Sequence, residues 1–280
     1  MTLVVAVVAG ALIGLSLGAL GGGGSVLAVP VLVYGLGQSA AQATTGSLLV
    51  VAITALAGAI TAYRSGNVLL TRGIVFGVVA IVGAAAGAKA SGLVAEPVLL
   101  AAFAALLLVV AAVMAARQLR SRRRQPGPLP RTHLDHPIVT FRPSFACHCP
   151  RALTVLVTAT VVGLLTGFFG VGGGFLVVPA LVLALGLPMA YAAGTSLVVI
   201  TITSASALAV RAGAGTHPSW GLVMLLTTVA VAGGWSGARL TARTDTRKLQ
   251  AAFTVLLVLV AGYTAWRALP ALTLTISHPT

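Results

Sequence analysis

The residues in this sequence whose types and spacing suggest chemistry are not the usual acids and bases but two glycine clusters. They read Gly21-Gly-Gly-Gly-Ser25 and Gly170-Val-Gly-Gly-Gly174, and Pro30 and Pro179 follow them at matching places. Glycine lets the backbone leave helical geometry and lets another chain or a ligand approach closely. A short helix starting at Ser25 or Gly174 would present free N–H groups and its positive dipole end, a combination that suits an anion. Two such starts facing one another would make one central site. The competing reading is a tight hairpin, or close helix packing with no ligand.

Hydroxyls form the second constellation: Thr44, Thr45, Ser47 and Thr54 in one region, Thr195, Ser196, Thr201, Thr203 and Ser204 in another. A hydroxyl hydrogen-bonds an oxyanion without the cost of burying a charge. The alternative is bonding back to the helix's own carbonyls, or gluing helices together. The candidate substrate-binding set is therefore Gly21, Gly23, Gly24, Ser25 and Ser47, with Gly170, Gly172, Gly173, Gly174, Thr195 and Ser196. Arg64 and Arg211 occupy matching places further on. They read either as anchors at a membrane surface or as cations that draw anions into a vestibule.

Other chemistries find no support. A phosphate-binding loop needs Lys-Ser/Thr after its glycines and an acid for magnesium, and neither cluster has the lysine. No Asp, Glu or His lies mid-way along any apolar run, so an intramembrane proton relay is missing, and hydrolysis has no evident base. The expectation is a protein that is not an enzyme and that uses no cofactor. Cys147-His148-Cys149 is weighed as a zinc site against incidental loop residues; three adjacent ligands seldom all reach one ion, which favours the latter. If their segment is cytoplasmic the thiols are reduced.

The elements that must hold these residues are membrane helices. Of the 280 residues, 58% are hydrophobic and 7% charged, with three carboxylates in all: Glu96, Asp135 and Asp245. A soluble domain carries about a quarter charged residues. Lipid, not water, must solvate this surface. The net charge of +14 does not indicate nucleic acid, because eight of the 17 Lys and Arg fall within 117–151 and most others flank apolar runs. No basic residue precedes the first run, which therefore reads as a retained helix with its N-terminus outside and not as a signal peptide. Crossing a ~30 Å hydrocarbon core takes about 20 apolar residues. Runs of that order occupy 2–20, 41–63, 70–91, 96–116, 152–169, 190–210, 219–240 and 249–267. Two short pieces, 25–37 and 174–187, follow the glycines. The fold expected is all-α and polytopic: about eight full transmembrane helices and two short glycine-broken ones. The segment 117–151, rich in Arg, Pro and His, reads as a poorly ordered cytoplasmic linker between a first membrane repeat, 1–116, and a second, 152–280.

The halves are copies. Residues 14–54 laid over 163–203 without a gap give 20 identities in 41 positions, among them Gly18/Gly167, Gly21/Gly170, Pro30/Pro179, Gly37/Gly186, Ser47/Ser196 and Thr54/Thr203. Later, Gly83-x3-Gly87 resembles Gly233-x3-Gly237, and with Gly10-x3-Gly14-x3-Gly18 it reads as small-residue helix packing. Five crossings per half, counting the short piece as a return arm, put 14 of the 17 basic residues on one side; four crossings put 12 there. The positive-inside rule so favours inverted over parallel repeats. Tyr263 and Trp266 suit an interfacial belt.

At the glycine clusters the chain resembles the sulfite exporter TauE/SafE family, through Gly-x3-Gly-x2-Gly-x-Gly-Gly and a following Pro, at Gly14 to Pro30 and Gly163 to Pro179. Gly194-Thr195-Ser196 and the Arg-x-Gly turns add to it, and it covers both halves. Thr44-Thr45-Gly46-Ser47 departs from that pattern, and the linker is long; both leave the substrate open. The resemblance implies a permease of the cell membrane moving sulfite, sulfoacetate or related small organosulfur anions. The expected partners are the lipid bilayer and a small anionic substrate, and self-association into a homo-oligomer is left open. The function expected is secondary transport by alternating access of the two halves. The alternatives are an anion channel and a non-transporting membrane scaffold.

Overall fold

The computed structural model describes residues 2–94, 96–123, 149–170, 174–212, 219–241 and 246–277, and over these it is all helical, with no strand. In chain order the helices are α1 (Thr2–Leu20), α2 (Ser25–Pro30), α3 (Ala40–Arg64), α4 (Leu70–Ser91), α5 (Glu96–Arg123), α6 (Cys149–Phe169), α7 (Gly174–Ala184), α8 (Met189–Ala212), α9 (Trp220–Thr241) and α10 (Thr246–Ser277). A π-helical turn, Val31–Gly35, extends α2. Pro30 lies just ahead of it, and a proline both lacks an N–H and crowds the carbonyl four residues back. The wider turn absorbs that, with the Leu36 N–H donating to the Val31 carbonyl at 3.0 Å.

Among the described residues six helices are long and apolar enough to cross a membrane: Leu3–Leu20, Ala40–Arg64, Leu70–Ser91, Val98–Ala116, Tyr191–Arg211 and Trp220–Arg239. Val155–Phe169 and Ala251–Thr264 are shorter apolar stretches within α6 and α10. The polarity is inverted relative to a soluble protein. Val82, Leu259, Leu3 and Val109 stand largely exposed on the outside, while Thr44, Ser47, Thr54, Thr195, Ser196, Thr203 and Ser204 are buried. Helices apolar on every face belong in lipid. The chain is an integral, multi-pass membrane protein. Trp266 is exposed, and Tyr263 meets Tyr34 edge-on at 5.8 Å.

Small residues fix the pairing. α1 lies along α9 in the same direction, Gly10 against Val229, Gly14 against Ala230, Gly18 against Gly234. α4 and α6 do likewise, Ala80 against Gly163 and Ala84 against Gly167. At Gly14, Gly18, Gly163 and Gly167 a β-carbon would overlap the facing backbone, which is the close approach small residues permit between membrane helices. α4 also runs with α8, Gly73 beside Thr195 and Gly77 beside Ile202. α3 and α8 cross in opposite senses, with Gly58 on Leu197 and Leu48 clustered with Ala207. The short piece after Gly24 doubles back along α1, Gly24 lying on Ile13 and Gly35 beside Val5. α3 therefore sets off from the end at which α1 begins and runs the same way. One end of the bundle thus carries Arg64, Arg72 and Arg239, and the other carries Lys89 and Arg211.

Matched glycines end matched segments. Gly21 and Gly170 (φ +73° and +65°) stop α1 and α6, and Gly37 and Gly186 (φ +65° and +64°) stop the two short pieces. At both short pieces the next N–H closes the end, Gln38 to Leu32 at 3.0 Å and Leu187 to Leu181 at 3.2 Å. α3 starts with a reciprocal Ser39–Gln42 capping box, whereas α8 starts after Pro188. The segment read as linker differs at its start: α5 continues through 117–123, where Gln, Leu and Arg favour helix, and no Gly or Pro intervenes before Pro126. Residues 124–148, with Cys147 and His148, lie outside the described residues, so the Cys-His-Cys reading is not addressed.

Candidate functional site

The two glycine tips meet. Gly22 and Gly174 touch backbone to backbone, and a β-carbon on either would overlap the other. The first tip abuts α8, with Gly21 packed on Ala193 and Ser196, and the second abuts α3, with Gly170 packed on Thr44. Gly24 lies tight on Ile13 and Leu17; Gly23 has more room, since a β-carbon there would come only to 3.0 Å from the Phe253 ring. Gly172 and Gly173 lie outside the described residues. Aromatic rings wall both tips: Phe253 at the first, and at the second Phe103, 5.5 Å from the Phe169 ring and 5.8 Å from Phe175. Neither Phe103 nor Phe253 was singled out in the sequence. Their equivalent placement lies beyond the stretch where the halves align strongly.

The hydroxyls are mostly committed in this conformation. The Ser25 hydroxyl donates to the Gly22 carbonyl at 2.7 Å, and its N–H turns to the same oxygen at 3.2 Å. Ser47 donates to the carbonyls of Thr44, at 2.9 Å, and Gly170, so it ties α3 to the second tip. Ser196 donates to Ala193 at 2.7 Å. Thr195 accepts the Leu69 N–H at 3.0 Å and so holds the α3–α4 turn against α8. Thr203 bonds back to Val199 at 3.0 Å, but its aligned partner Thr54 is buried with no hydrogen-bond partner. Thr54 borders a cleft of about 310 Å3 between α3 and α9, lined also by Gly58, Thr61, Gly234 and Trp235. The corresponding α8–α4 contact is filled by an apolar cluster that includes Ala84, Ala207 and Val210.

The arginines part company. Arg64 is exposed at the end of α3. Arg211 is half-buried and reaches three elements: Nη1 donates to the Thr44 hydroxyl at 3.1 Å, and Nη2 to the Ser91 hydroxyl at 2.5 Å and the Gly167 carbonyl at 3.1 Å. Its Nε is buried without a partner. Ser91 carried no signal in the sequence, because a serine at a helix end is common and its partner is distant in the chain.

No solved structure matches the chain. Among curated proteins it is similar to two from Xylella fastidiosa, strains Temecula1 and 9a5c, each named "Probable membrane transporter protein". Each is 31% identical over 272 residues, covering 95% of this chain and 96% of the relative. A shorter likeness, 30% over 110 residues, links it to the "Probable membrane transporter protein YunE" of Bacillus subtilis, covering 39% of this chain and 40% of the relative. The profile described as "Sulfite exporter TauE/SafE" matches residues 6–264, spanning both glycine tips, both arginine turns and all ten helices in whole or part. The chain belongs to the sulfite exporter TauE/SafE family, a family of membrane transporters.

Proposed function

We propose that the protein is a secondary transporter of the plasma membrane that moves small oxyanions, of the sulfite or organosulfonate type, by alternating access of two inverted repeats. The observation that carries the reading is the meeting of Gly22 and Gly174, where two copied segments arrive on α1 and α6 from opposite directions. Broken helices converging on a pseudo-two-fold axis are the transporter arrangement in which substrate sits near the midplane. The repeats are 1–116 and 152–280, each with five membrane elements, and the basic linker lies on the cytoplasmic side with Arg64, Arg72 and Arg239.

In this reading the anion passes between the tips formed by Gly21, Gly23, Gly24 and Ser25 and by Gly170, Gly172, Gly173 and Gly174. Ser47, Thr195 and Ser196 flank them as hydroxyl donors once their present bonds exchange. With the tips in contact the central path is closed, while a cleft remains beside Thr54 between α3 and α9. That is how one state of an alternating cycle looks. The chain is a transporter and not an enzyme. The helix break at residues 21–24 argues against a scaffold of continuous helices.

The test is reconstitution into liposomes with sulfite, sulfate, thiosulfate and sulfonates, with and without a pH gradient. Saturable flux with counterflow supports a carrier. Non-saturating, voltage-driven current would replace it with a channel, and transport of none of the anions would remove the substrate class.

A further inference from the structure

Arg211 has a chemistry that neither packing nor the glycine tips use. It sits at the last turn of α8 and draws together α3, α4 and α6 through Thr44, Ser91 and Gly167. A guanidinium offers five N–H donors in a fixed plane, and three are engaged among the described residues. The Nε donor is buried and empty-handed. These three partners are neutral, and among the described residues no carboxylate neutralises the positive charge. The chain has three carboxylates: Asp135 and Asp245 lie outside the described residues, and Glu96 follows Ser91 by five positions with its side chain undescribed. A charged group inside a membrane protein is costly and persists where it serves a pathway or a partner. The repeat sharpens the point. The aligned position to Thr44 is Ala193, which has no hydroxyl, and Arg64 at the matching turn is exposed.

We infer that Arg211, with the hydroxyls of Thr44 and Ser91, is an oxyanion-binding subsite at the end of the bundle opposite the basic linker. Its ligand is a small tetrahedral or pyramidal oxyanion, such as the sulfite or sulfonate head. The inference rests on the proposed transport of such anions and adds the residue that recognises them. An incoming oxyanion takes the free Nε–H and the Nη donors, a charge-assisted pairing for which arginine geometry is suited. The Thr44 and Ser91 hydroxyls turn from their own helix carbonyls, Ala41 at 3.0 Å and Ala88 at 2.9 Å, to donate to it. Thr44 also borders Gly170, so the subsite adjoins the second glycine tip.

The experiment uses the purified full-length chain, with two readouts: the rise in Tm with added sulfite over equal chloride, and sulfite flux in liposomes. In the wild type both should respond to sulfite. Arg211→Gln should lose the Tm response and raise the apparent KM at least about tenfold, the scale of a charged hydrogen bond lost. Arg211→Lys should retain part of both, and Arg64→Gln should match wild type. If Arg211→Gln fails to fold, Thr44→Val and Ser91→Ala carry the test, each expected to raise KM with little change in the maximal rate. An unchanged KM and Tm response in Arg211→Gln or, failing that, in both hydroxyl variants overturns the subsite while leaving transport intact. So does a Glu96→Gln variant that reproduces the Arg211→Gln stability loss beside a normal sulfite response in both, since Arg211 is then a structural counter-ion. Absence of flux and of any sulfite response in the wild type overturns both readings.

Discussion

The two halves carry the same parts in the same order, yet the α3–α9 and α8–α4 contacts have diverged, and so have the arginines beyond them. Around Thr54, Gly58 and Gly234 the first contact leaves a cleft with an unbonded hydroxyl. At the second, Ala207 replaces Gly58 and Ala84 replaces Gly234, and the space closes into apolar packing. Arg64 at the end of α3 faces outward, while Arg211 in the last turn of α8 turns in to Thr44 and Ser91. Duplication supplies the frame twice. A handful of substitutions then give one end of the bundle a cleft and the other a half-buried cation.

The sharpest way to break this comparison is at the tips, where the halves should behave alike. Gly22→Val and Gly174→Val each drive a side chain into facing backbone, so flux should fall to background and Tm should drop together in both. Overpacking typically costs about 1–3 kcal/mol, and more where only backbone could yield. Gly23→Ala, which meets a ring at 3.0 Å, should retain most flux. Unequal effects of Gly22→Val and Gly174→Val would show that the tips are not equivalent.

Next come the arginines, where the halves should differ. Arg211→Gln should raise the KM for sulfite at least about tenfold and Arg64→Gln should not. Equal effects would restore symmetry. A smaller contrast lies at the aligned threonines. Thr54→Val removes an unbonded hydroxyl beside the cleft and should slow flux roughly fivefold if the anion uses it, a single hydrogen bond's worth. Thr203→Val removes only bonds back to its own helix, to Val199 and Ile200, and should leave flux within about twofold. The least effect is expected at the helix starts. Ser39→Ala removes the capping box of α3 and should cost about 1 kcal/mol, read as a small fall in Tm with flux nearly unchanged.

Much of this was legible in order. The α4 limits coincide with the apolar run 70–91, and α3 extends 41–63 by one residue at each end, because burial in lipid is written as uninterrupted hydropathy. The glycines that stop α1, α6 and the short pieces were visible as pairs because a left-handed residue at a helix end is nearly obligatory glycine. The extension of α5 beyond 116 was missed because basic residues end a hydrophobic run without ending a helix. The candidate hydroxyls were found, but not their partners. Whether Ser47 faces a ligand or the Gly170 carbonyl depends on a contact across 123 residues.

The sequence by itself determined a membrane protein, two copied halves, breaks at the glycines and a cluster of basic residues between the halves. Each of these is a matter of composition, local backbone freedom or direct self-similarity. Only the tertiary structure decided that α1 pairs with α9 and α4 with α6, that the two tips touch, and that of two matched arginines one is exposed and the other held inside. Those outcomes depend on which surfaces approach within a β-carbon's width. That distance is set by Gly, Ala and Thr on helices far apart in the chain, and no local pattern records it.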